Sequence, residues 1–453
     1  THRHTDTQTH RHTDTQTHRH TDTQTRIIIY PKGKLGLEIE ALLRFVGYNN
    51  IGFIDDNDKI KNIQNYQYSN NEKILISSRR NFMTLAKKLK DKNIPFSCGC
   101  EFVAECLNNY FSQRYNKNNL IACIIAGRSG SKHRGNVENF LKQMGIEIVF
   151  LCTNQKEKDD AQDRIGNSVA LIIEDKEILS RINFFRIAIS ESQERFHPSV
   201  TSVQLSHSFS SGTDLIIQKN FSGNIRSIFD NNDYVIISSQ RQLQAYKTMI
   251  NDVYAKFDPP YYKLLPLGAP TLDRYNDIKI DKYTNDTILL APNSKYCNYK
   301  SINKLIEELI KEYKIIYRPH PNQREDSINI KIVKQYTKYK NFTYDNSIKL
   351  SLEQIQKTPI LITNLSSLSY TYTIATKSPC IIYSQKKVNP EEKIQMVANT
   401  IEEVKHNIST IINNREKFKN EITNYIKNEV FNFGDSSQKI AEFLSYMLWC
   451  KSC

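Results

Sequence analysis

The sequence has no long apolar run and few of the residues that mark secreted or fibrous proteins. Its 453 residues include nine cysteines, 14 glycines, 13 prolines and one tryptophan. The longest apolar stretch, residues 120–126, is far shorter than the ~20 residues that span a bilayer. We expect no leader peptide, because the N-terminus lacks an apolar core. The cysteines show no disulfide framework, so we expect a reducing compartment.

Two groups of cysteines are close enough in the sequence to be candidate metal ligands. Cys98 and Cys100 with Cys106, and Cys450 with Cys453, have no matching second pair. Their spacing therefore predicts no metal site, and no cofactor is expected.

The formal net charge of +14 favours anionic partners such as phosphorylated substrates or anionic lipid head groups. Nucleic acid is not expected as a partner, because the lysines are not clustered with aromatic residues.

The N-terminus is a repeat. The octapeptide Thr-His-Arg-His-Thr-Asp-Thr-Gln occurs three times in residues 1–24. A segment without apolar residues cannot bury a core, so residues 1–25 are predicted to be disordered. The octanucleotide ACACACAG, read in triplets, encodes this octapeptide. Because gain or loss of one such unit shifts the reading frame, we interpret the tract as a slippage repeat that switches expression by phase variation.

From residue 26 onward, strand-like and helix-like segments alternate, which is typical of βαβ units. Residues 26–117 are predicted to form a small Rossmann-like α/β domain. Gly33 and Gly36 make an incomplete dinucleotide fingerprint there. A glycine turn that packs a helix on a strand explains the same two residues, and the sequence leaves both interpretations open.

Two doubly wound α/β blocks follow, residues 118–275 and 276–431, and a helical segment, 432–453, ends the chain. Two such blocks in succession predict two Rossmann-like lobes with a cleft between them. The loop 127–135 in the first block is rich in glycines and bases but lacks P-loop spacing. It is predicted to be at most an anion or acceptor site.

A proline-bounded histidine follows a strand of the second block. Residues 314–316 are strand-like and lead into Tyr-Arg-Pro-His-Pro at 317–321. Because proline lacks an N–H, the strand must end there, and His320 is held at a carboxyl strand end, where open α/β sheets bind ligands. Arg318 adds a permanent charge suited to phosphate. The alternative is a structural loop with a solvent-facing histidine.

Five short segments lie in order along the two predicted lobes. They are Leu-Ser-His-Ser-Phe at 205–209, Leu-Gly-Ala-Pro-Thr-Leu-Asp at 267–273, Leu-Leu-Ala-Pro-Asn at 289–293, Arg-Pro-His-Pro at 318–321, and Thr-Asn-Leu-Ser-Ser at 363–367 with Lys-Ser-Pro at 377–379. In this order and spacing they resemble the CDP-glycerol glycerophosphotransferase family, the teichoic-acid and capsule polymerases of the GT-B fold. The resemblance covers roughly residues 120–430 and implies two Rossmann-like lobes, an acceptor lobe and a nucleotide-donor lobe.

The resemblance also implies roles for individual residues. His207 would be the base toward the acceptor, while His320 with Arg318 would meet the donor phosphates. A histidine with a pKa of ~6.5 can take a proton near neutrality, although His207 could also be an ordinary loop histidine. The further substrate-binding residues implied are Asn293, Thr363, Asn364, Ser366 and Ser367.

Ser366 and Ser367 stand at the start of a predicted helix. Their hydroxyls and the free N–H groups there can form an anion site, to which the helix dipole adds ~0.3–1 kcal/mol. Simple N-capping is the alternative, and the two roles are compatible.

Two positions depart from the pattern of the family. Asn364 stands where the family usually has Asp, and Ser208 follows the first histidine where the family has Gly. Asn keeps a hydrogen-bond acceptor but loses the charge, which puts a role in holding the donor's hydroxyls in question. Ser208 narrows the loop beside His207.

We therefore predict a transferase that moves glycerol phosphate, or a similar polyol phosphate, from a CDP-linked donor to a cell-surface glycan or lipid-linked acceptor. One alternative is a GT-B glycosyltransferase that uses a nucleotide sugar in capsule or lipopolysaccharide synthesis. Another, from a different class, is a non-catalytic nucleotide-binding scaffold protein.

The location predicted for the protein is cytoplasmic, docked peripherally on the inner face of the cytoplasmic membrane. The attraction would come from the positive charge excess. The apolar stripe around Phe443, Leu444 and Met447 could add insertion into the membrane, or it could pack against the first lobe instead.

Overall fold

The computed structural model describes residues 25–125, 134–165, 168–191, 195–205, 222–256, 258–388, 390–391 and 393–452. The repeat at 1–24, the loop 127–133, His207 and Ser208 lie outside the described residues. The chain divides into two compact units, one of residues 1–128, 144–203 and 446–453 and the other of residues 129–143 and 204–445. The predicted domain boundaries after residues 25, 117, 275 and 431 stay predictions.

Among the described residues, the first unit holds strands β1 to β9 and helices α1–α3, α5 and α6. Its strands are β1 (Arg26–Tyr30), β2 (Ile51–Phe53), β3 (Glu72–Ile76), β4 (Phe96–Cys98), β5 (Leu120–Ile125), β6 (Glu147–Cys152), β7 (Ala170–Ile172), β8 (Ile187–Ser190) and β9 (Thr201–Gln204). Its helices are α1 (Lys34–Phe45), α2 (Phe82–Asp91), α3 (Gly99–Arg114), α5 (Gln155–Ile165) and α6 (Lys176–Arg181). The strands run in the orders β2-β1-β3-β4 and β9-β8-β5-β6-β7.

Gly36 brings α1 close to the first sheet. A Cβ at this position would lie 2.5 Å from the carbonyl oxygen of Pro31 and 3.2 Å from Cγ2 of Ile29. Only a residue without a side chain allows this approach, so the geometry favours the packing interpretation for Gly36. A Cβ at Gly33 would meet no atom within 4 Å. The two sheets of this unit share one core, in which Phe111 of α3 and Leu120 of β5 are both buried.

The second unit holds the remaining elements. Its helices are α4 (Val137–Gln143), α7 (Ser222–Asn231), α8 (Gln240–Val253), α9 (Tyr299–Leu309), α10 (Ser327–Tyr336), α11 (Leu352–Lys357), α12 (Leu368–Thr376), α13 (Ile401–Asn413), α14 (Arg415–Glu429) and α15 (Ser436–Ser452), whose last residues belong to the first unit. Its strands are β10 (Tyr234–Ile236), β11 (Leu264–Leu265), β12 (Thr287–Ala291), β13 (Lys314–Tyr317), β14 (Phe342–Tyr344), β15 (Ile360–Thr363), β16 (Cys380–Tyr383) and β17 (Gln395–Ala398).

Six of these strands form one parallel sheet in the order β14-β13-β12-β15-β16-β17. Along β12, Leu289 enters one core while Ile288 and Leu290 enter another on the opposite face. A sheet buried on both faces requires the near-continuous apolar strands seen here. The strand order reverses between β12 and β15, which is where sheets of this topology leave a crevice at their carboxyl edge.

The C-terminal stripe is part of the protein core. Leu444 is fully buried, and the ring of Phe443 packs edge-on against Tyr234 with centroids 5.5 Å apart. Phe443 and Leu444 of the stripe therefore pack within the protein and do not insert into a membrane. Tyr446 and Trp449 on the same helix are 62% and 63% exposed. Among the described helices, none combines the length and the apolar character that a membrane crossing requires.

Candidate functional site

Two asparagines join the strand ends at the crevice. Asn293 follows β12 and Asn364 follows β15, and the amide of Asn364 bonds the backbone of Asn293 in both directions. Its Oδ1 accepts from the N–H of Asn293 at 2.8 Å, and its Nδ2 donates to the carbonyl of Asn293 at 3.0 Å. Below them, the hydroxyl of buried Thr363 donates to the carbonyl of Ala291 at 2.7 Å. Asn364 is 3% exposed, so its amide is committed to this clamp.

Gln323 extends the clamp to the next strand end. Its Nε2 donates to Oδ1 of Asn293 at 2.7 Å, and its Oε1 accepts from the N–H and the hydroxyl of Ser294 at 2.8 and 2.9 Å. Its own N–H donates to the carbonyl of His320 at 2.8 Å. The loop that carries His320 is thus tied to the loop after β12, and through Asn293 to the loop after β15.

His320 is exposed and begins the short 3-10 helix Pro321–Gln323. Its Nδ1 accepts from the N–H of Asn322 at 3.2 Å. A ring nitrogen that accepts a hydrogen bond carries no proton, so in the neutral imidazole the proton is on Nε2. His320 is therefore set up in this conformation to donate a hydrogen bond from Nε2 rather than to accept a proton there.

Arg318 lies deeper than the sequence suggests. It is 7% exposed, and its Nη1 donates to Asp345 at 2.9 Å and to the hydroxyl and carbonyl of Ser347 at 2.8 and 3.0 Å. Burial opposes ionisation of Asp345, yet the hydrogen bonds from Ser347 and the charge of Arg318 hold its pKa below the usual range. In this structure Arg318 anchors the loop after β14, and its predicted contact with phosphate stays a prediction.

The two serines before α12 differ in their contacts. The hydroxyl of Ser366 accepts from the N–H of Leu368 at 3.2 Å, which is a capping bond. Ser367 is the N-cap residue itself, is half-buried, and makes no side-chain capping hydrogen bond. N-capping therefore explains Ser366, and it does not explain the hydroxyl of Ser367.

We call Asn293, His320, Gln323, Asn364, Ser366 and Ser367 the strand-end cluster. Most predicted binding residues belong to it or directly support it. Sequence reasoning missed Gln323, which stands in a run of polar turn residues with nothing to single it out. It also missed Asp345, because the acidic partner of Arg318 lies 27 residues further along the chain.

The described residues form an α/β protein with the GT-B fold, as predicted. Solved structures with a similar fold include the wall teichoic acid polymerase TagF. One TagF structure has a TM-score of 0.53 and 14% identity, covering 82% of this chain and 98% of that chain. A TagF variant has a TM-score of 0.53 and 12% identity, covering 83% and 99%. Another variant, soaked with CDPG, has a TM-score of 0.52 and 13% identity, covering 83% and 98%.

No family model matches the sequence, and no curated protein matches it either. At these low identities the likeness to TagF shows the fold of the chain. The predicted resemblance is confirmed at that level.

Proposed function

We propose that this protein transfers glycerol phosphate, or a similar polyol phosphate, from a CDP-linked donor to a hydroxyl of a cell-surface glycan or lipid-linked acceptor. The observation that carries the proposal is the strand-end cluster at the point where the order of the β12–β17 sheet reverses. This is the ligand-binding position of such sheets. The fold shared with TagF, of which one structure was soaked with CDPG, agrees with a cytidine diphosphate carrier.

The cluster offers neutral hydrogen-bond donors to a pyrophosphate. Nε2–H of His320 and the hydroxyl of Ser367 are donors on the loops after β13 and β15, the two strands that flank β12. The start of α12 adds the positive end of a helix dipole. Hydrogen bonds to phosphate oxygens are charge-assisted and about twice as strong as neutral ones. We assign the clamp of Asn293, Gln323 and Asn364 the role of holding these donors in place.

The reaction needs a base on the acceptor side. In the proposed step the acceptor oxygen attacks the phosphorus that carries glycerol, the bond from that phosphorus to the bridging oxygen breaks, and CMP leaves. His207 takes the proton of the acceptor hydroxyl, and Nε2–H of His320 stabilises the charge that develops on the donor phosphates. A positioned base contributes ~10²–10⁴-fold to the rate.

A thermal-shift screen tests the donor assignment. CDP-glycerol, CDP-ribitol, CMP-sugars and UDP-sugars are added separately at concentrations up to ~100-fold over Kd, where binding stabilises the folded state by ~2.7 kcal/mol. For units of this size that corresponds to a rise in melting temperature of ~5 °C. We expect CDP-glycerol or CDP-ribitol to give the largest rise. A rise with UDP-sugars alone would favour a glycosyltransferase, and no rise with any nucleotide would favour a scaffold.

The two serines provide matched variants for this screen. Ser367→Ala removes a hydroxyl that caps nothing, so it should lower the donor-dependent rise while leaving the melting temperature without ligand unchanged. Ser366→Ala removes a cap and should lower the ligand-free melting temperature instead, by an amount equivalent to ~1 kcal/mol. Equal effects of both variants on donor binding would contradict the division of roles.

We also propose that the protein docks on the inner face of the cytoplasmic membrane, where a lipid-linked acceptor would be presented. The net charge of +14 supports attraction to anionic lipids. The exposed rings of Tyr446 and Trp449, whose centroids are 6.2 Å apart, are side chains that favour the membrane–water interface.

A further inference from the structure

A cavity of about 180 Å³ opens at the carboxyl edge of the β2-β1-β3-β4 sheet. Ile76 ends β3 and Cys98 ends the neighbouring β4, and both line the cavity together with Phe82 and Cys100. The strand order turns around between β1 and β3, so the cavity lies at the edge where α/β sheets bind ligands. The proposed transferase reaction uses none of these residues.

Two thiols meet at this edge. Cys98 is the N-cap residue of α3 and is partly exposed, whereas Cys100 in the first turn is buried. Both side chains line the cavity. Gly99 between them is required by packing, because a Cβ there would lie 2.9 Å from the carbonyl oxygen of Ile76. The short spacing and the close approach at Gly99 hold both cysteines at the same end of the sheet.

The two thiols differ in acidity. The hydrogen bond from Cys100, together with the N–H groups of Cys100 and Glu101 at the helix start, lowers the pKa of Cys98 to about 6 against the effect of burial. The hydrogen bond to Cys98, burial and the nearby carboxylates raise the pKa of Cys100. An accessible acidic thiol beside a buried neutral one is the arrangement of dithiols that exchange with disulfides.

Charged groups surround the buried thiol. Sγ of Cys100 lies 4.0 Å from Oδ1 of Asp175. The guanidinium of Arg79 is 2.5 Å from Asp175 and 3.5 Å from Glu177. With Cys98 ionised, the cavity carries more negative than positive charge. An uncharged reaction partner therefore fits it better than an anionic one.

We propose that Cys98 and Cys100 form a redox-active dithiol that reacts with small, uncharged disulfides in this cavity. The thiolate of Cys98 attacks one sulfur of the disulfide, whose S–S bond breaks and releases the first thiol after it takes up a proton. Cys100 then loses its proton to water and attacks the sulfur of Cys98 in the mixed disulfide; the bond from Cys98 to the small thiol breaks, and the second thiol leaves after it takes up a proton from water. The protein dithiol is oxidised by two electrons and the small disulfide is reduced to two thiols.

The rate advantage can be estimated at pH 6, where about half of Cys98 is ionised. An ordinary thiol of pKa ~8.5 is then ionised to only ~0.3%. The more acidic thiolate is a weaker nucleophile, and this reduces the rate advantage by roughly a factor of ten, since the Brønsted slope is ~0.4–0.5. Cys98 should therefore react about tenfold faster than an ordinary thiol at pH 6.

The experiment uses the full chain and bis(2-hydroxyethyl) disulfide as the probe, followed by denaturation, alkylation of remaining thiols and peptide mass spectrometry. We expect a bond between Cys98 and Cys100 with Cys106 left alkylated, formed about tenfold faster at pH 6 than the reaction of N-acetylcysteine. Cys100→Ser should trap the mixed disulfide on Cys98, and Cys98→Ser should leave Cys100 unreacted. Cys106→Ser, a change on the same helix outside the pair, should behave as the unaltered protein does.

Three results would overturn the proposal. In the first, both thiols of the unaltered protein are recovered in alkylated form. In the second, Cys98 reacts no faster than N-acetylcysteine. In the third, Cys98 forms its bond with Cys106 instead of Cys100. Measurements on the unaltered chain suffice for all three, so a variant that fails to fold does not decide the outcome. None of them depends on the proposed transferase function.

Discussion

Replacing Asn364 by Asp tests the clamp that joins the ends of β12 and β15. The change keeps the shape of the side chain and removes one N–H donor. A carboxylate oxygen then faces the carbonyl of Asn293 at the position where Nδ2 now lies 3.0 Å away. The lost hydrogen bond, the unsatisfied carbonyl and the buried charge together should destabilise the second unit by ~2–4 kcal/mol. For a unit of this size the melting temperature should fall by ~4–8 °C.

The effect should depend on pH with a definite sign. Because ionisation is disfavoured in the folded state, the introduced carboxyl has a folded pKa above its unfolded value of ~3.9. Its contribution to stability is then complete below the unfolded pKa and is lost as pH rises through the folded pKa. When protonated, the carboxyl can donate to the carbonyl of Asn293 and accept from its N–H, which restores both bonds. The deficit of Asn364→Asp should therefore shrink as pH falls from 7 towards ~4.

The assay compares melting temperatures of Asn364→Asp and Asn364→Ala with the unaltered protein at each pH, so that the pH dependence of the rest of the chain cancels. The alanine variant loses both bonds without adding a titratable group, and its deficit should stay constant. An Asn364→Asp variant with an unchanged melting temperature would refute the assignment of the amide to this clamp. Equal pH dependence of the two variants would also refute it.

Three further predictions concern the proposed reaction and location. His320→Ala and His207→Ala should each lower turnover at least ~100-fold with unchanged melting temperature. The control variants His197→Ala and His406→Ala should have little effect on turnover. Near-normal turnover of either test variant would remove that histidine from the mechanism. Activity should survive EDTA, since protein donors meet the donor phosphates, and a loss restored by Mg²⁺ would contradict this. Binding to anionic vesicles should weaken steeply from low to physiological salt and weaken further in Trp449→Ala; binding absent at low salt, or indifferent to salt, would exclude electrostatic docking.

Local chemistry made the strand ends of the second unit predictable. Pro319 and Pro321 cannot continue a ladder, and β13 indeed ends at Tyr317, before both prolines. The apolar run before Asn293 likewise predicted β12. The order of the strands in the sheet was beyond such reasoning, because it depends on pairings such as Leu290 with Ile362 that join distant parts of the chain.

Side-chain partners over long sequence distances were equally hidden. The sequence shows the charge of Arg318 but not that Asp345 and Ser347 hold its guanidinium. It shows that Asn364 lacks the charge of the Asp usual in the family it resembles, which suggests that a binding interaction is lost. In the structure the amide N–H of Asn364 provides a hydrogen bond that a carboxylate could not donate. This N–H completes a two-way bond with Asn293, 71 residues earlier. A carboxylate at position 364 would need a different neighbour.

The pair Ser366 and Ser367 illustrates why a motif can support two interpretations until its geometry is known. Each serine before a helix can cap it or bind an anion, and the sequence assigns neither role to either residue. The backbone decides, because a hydroxyl caps only when it reaches an N–H two or three residues ahead. Ser366 reaches Leu368, so the helix start is satisfied without the hydroxyl of Ser367. The second serine is thereby left for a ligand, which is the condition that phosphate binding at this helix requires.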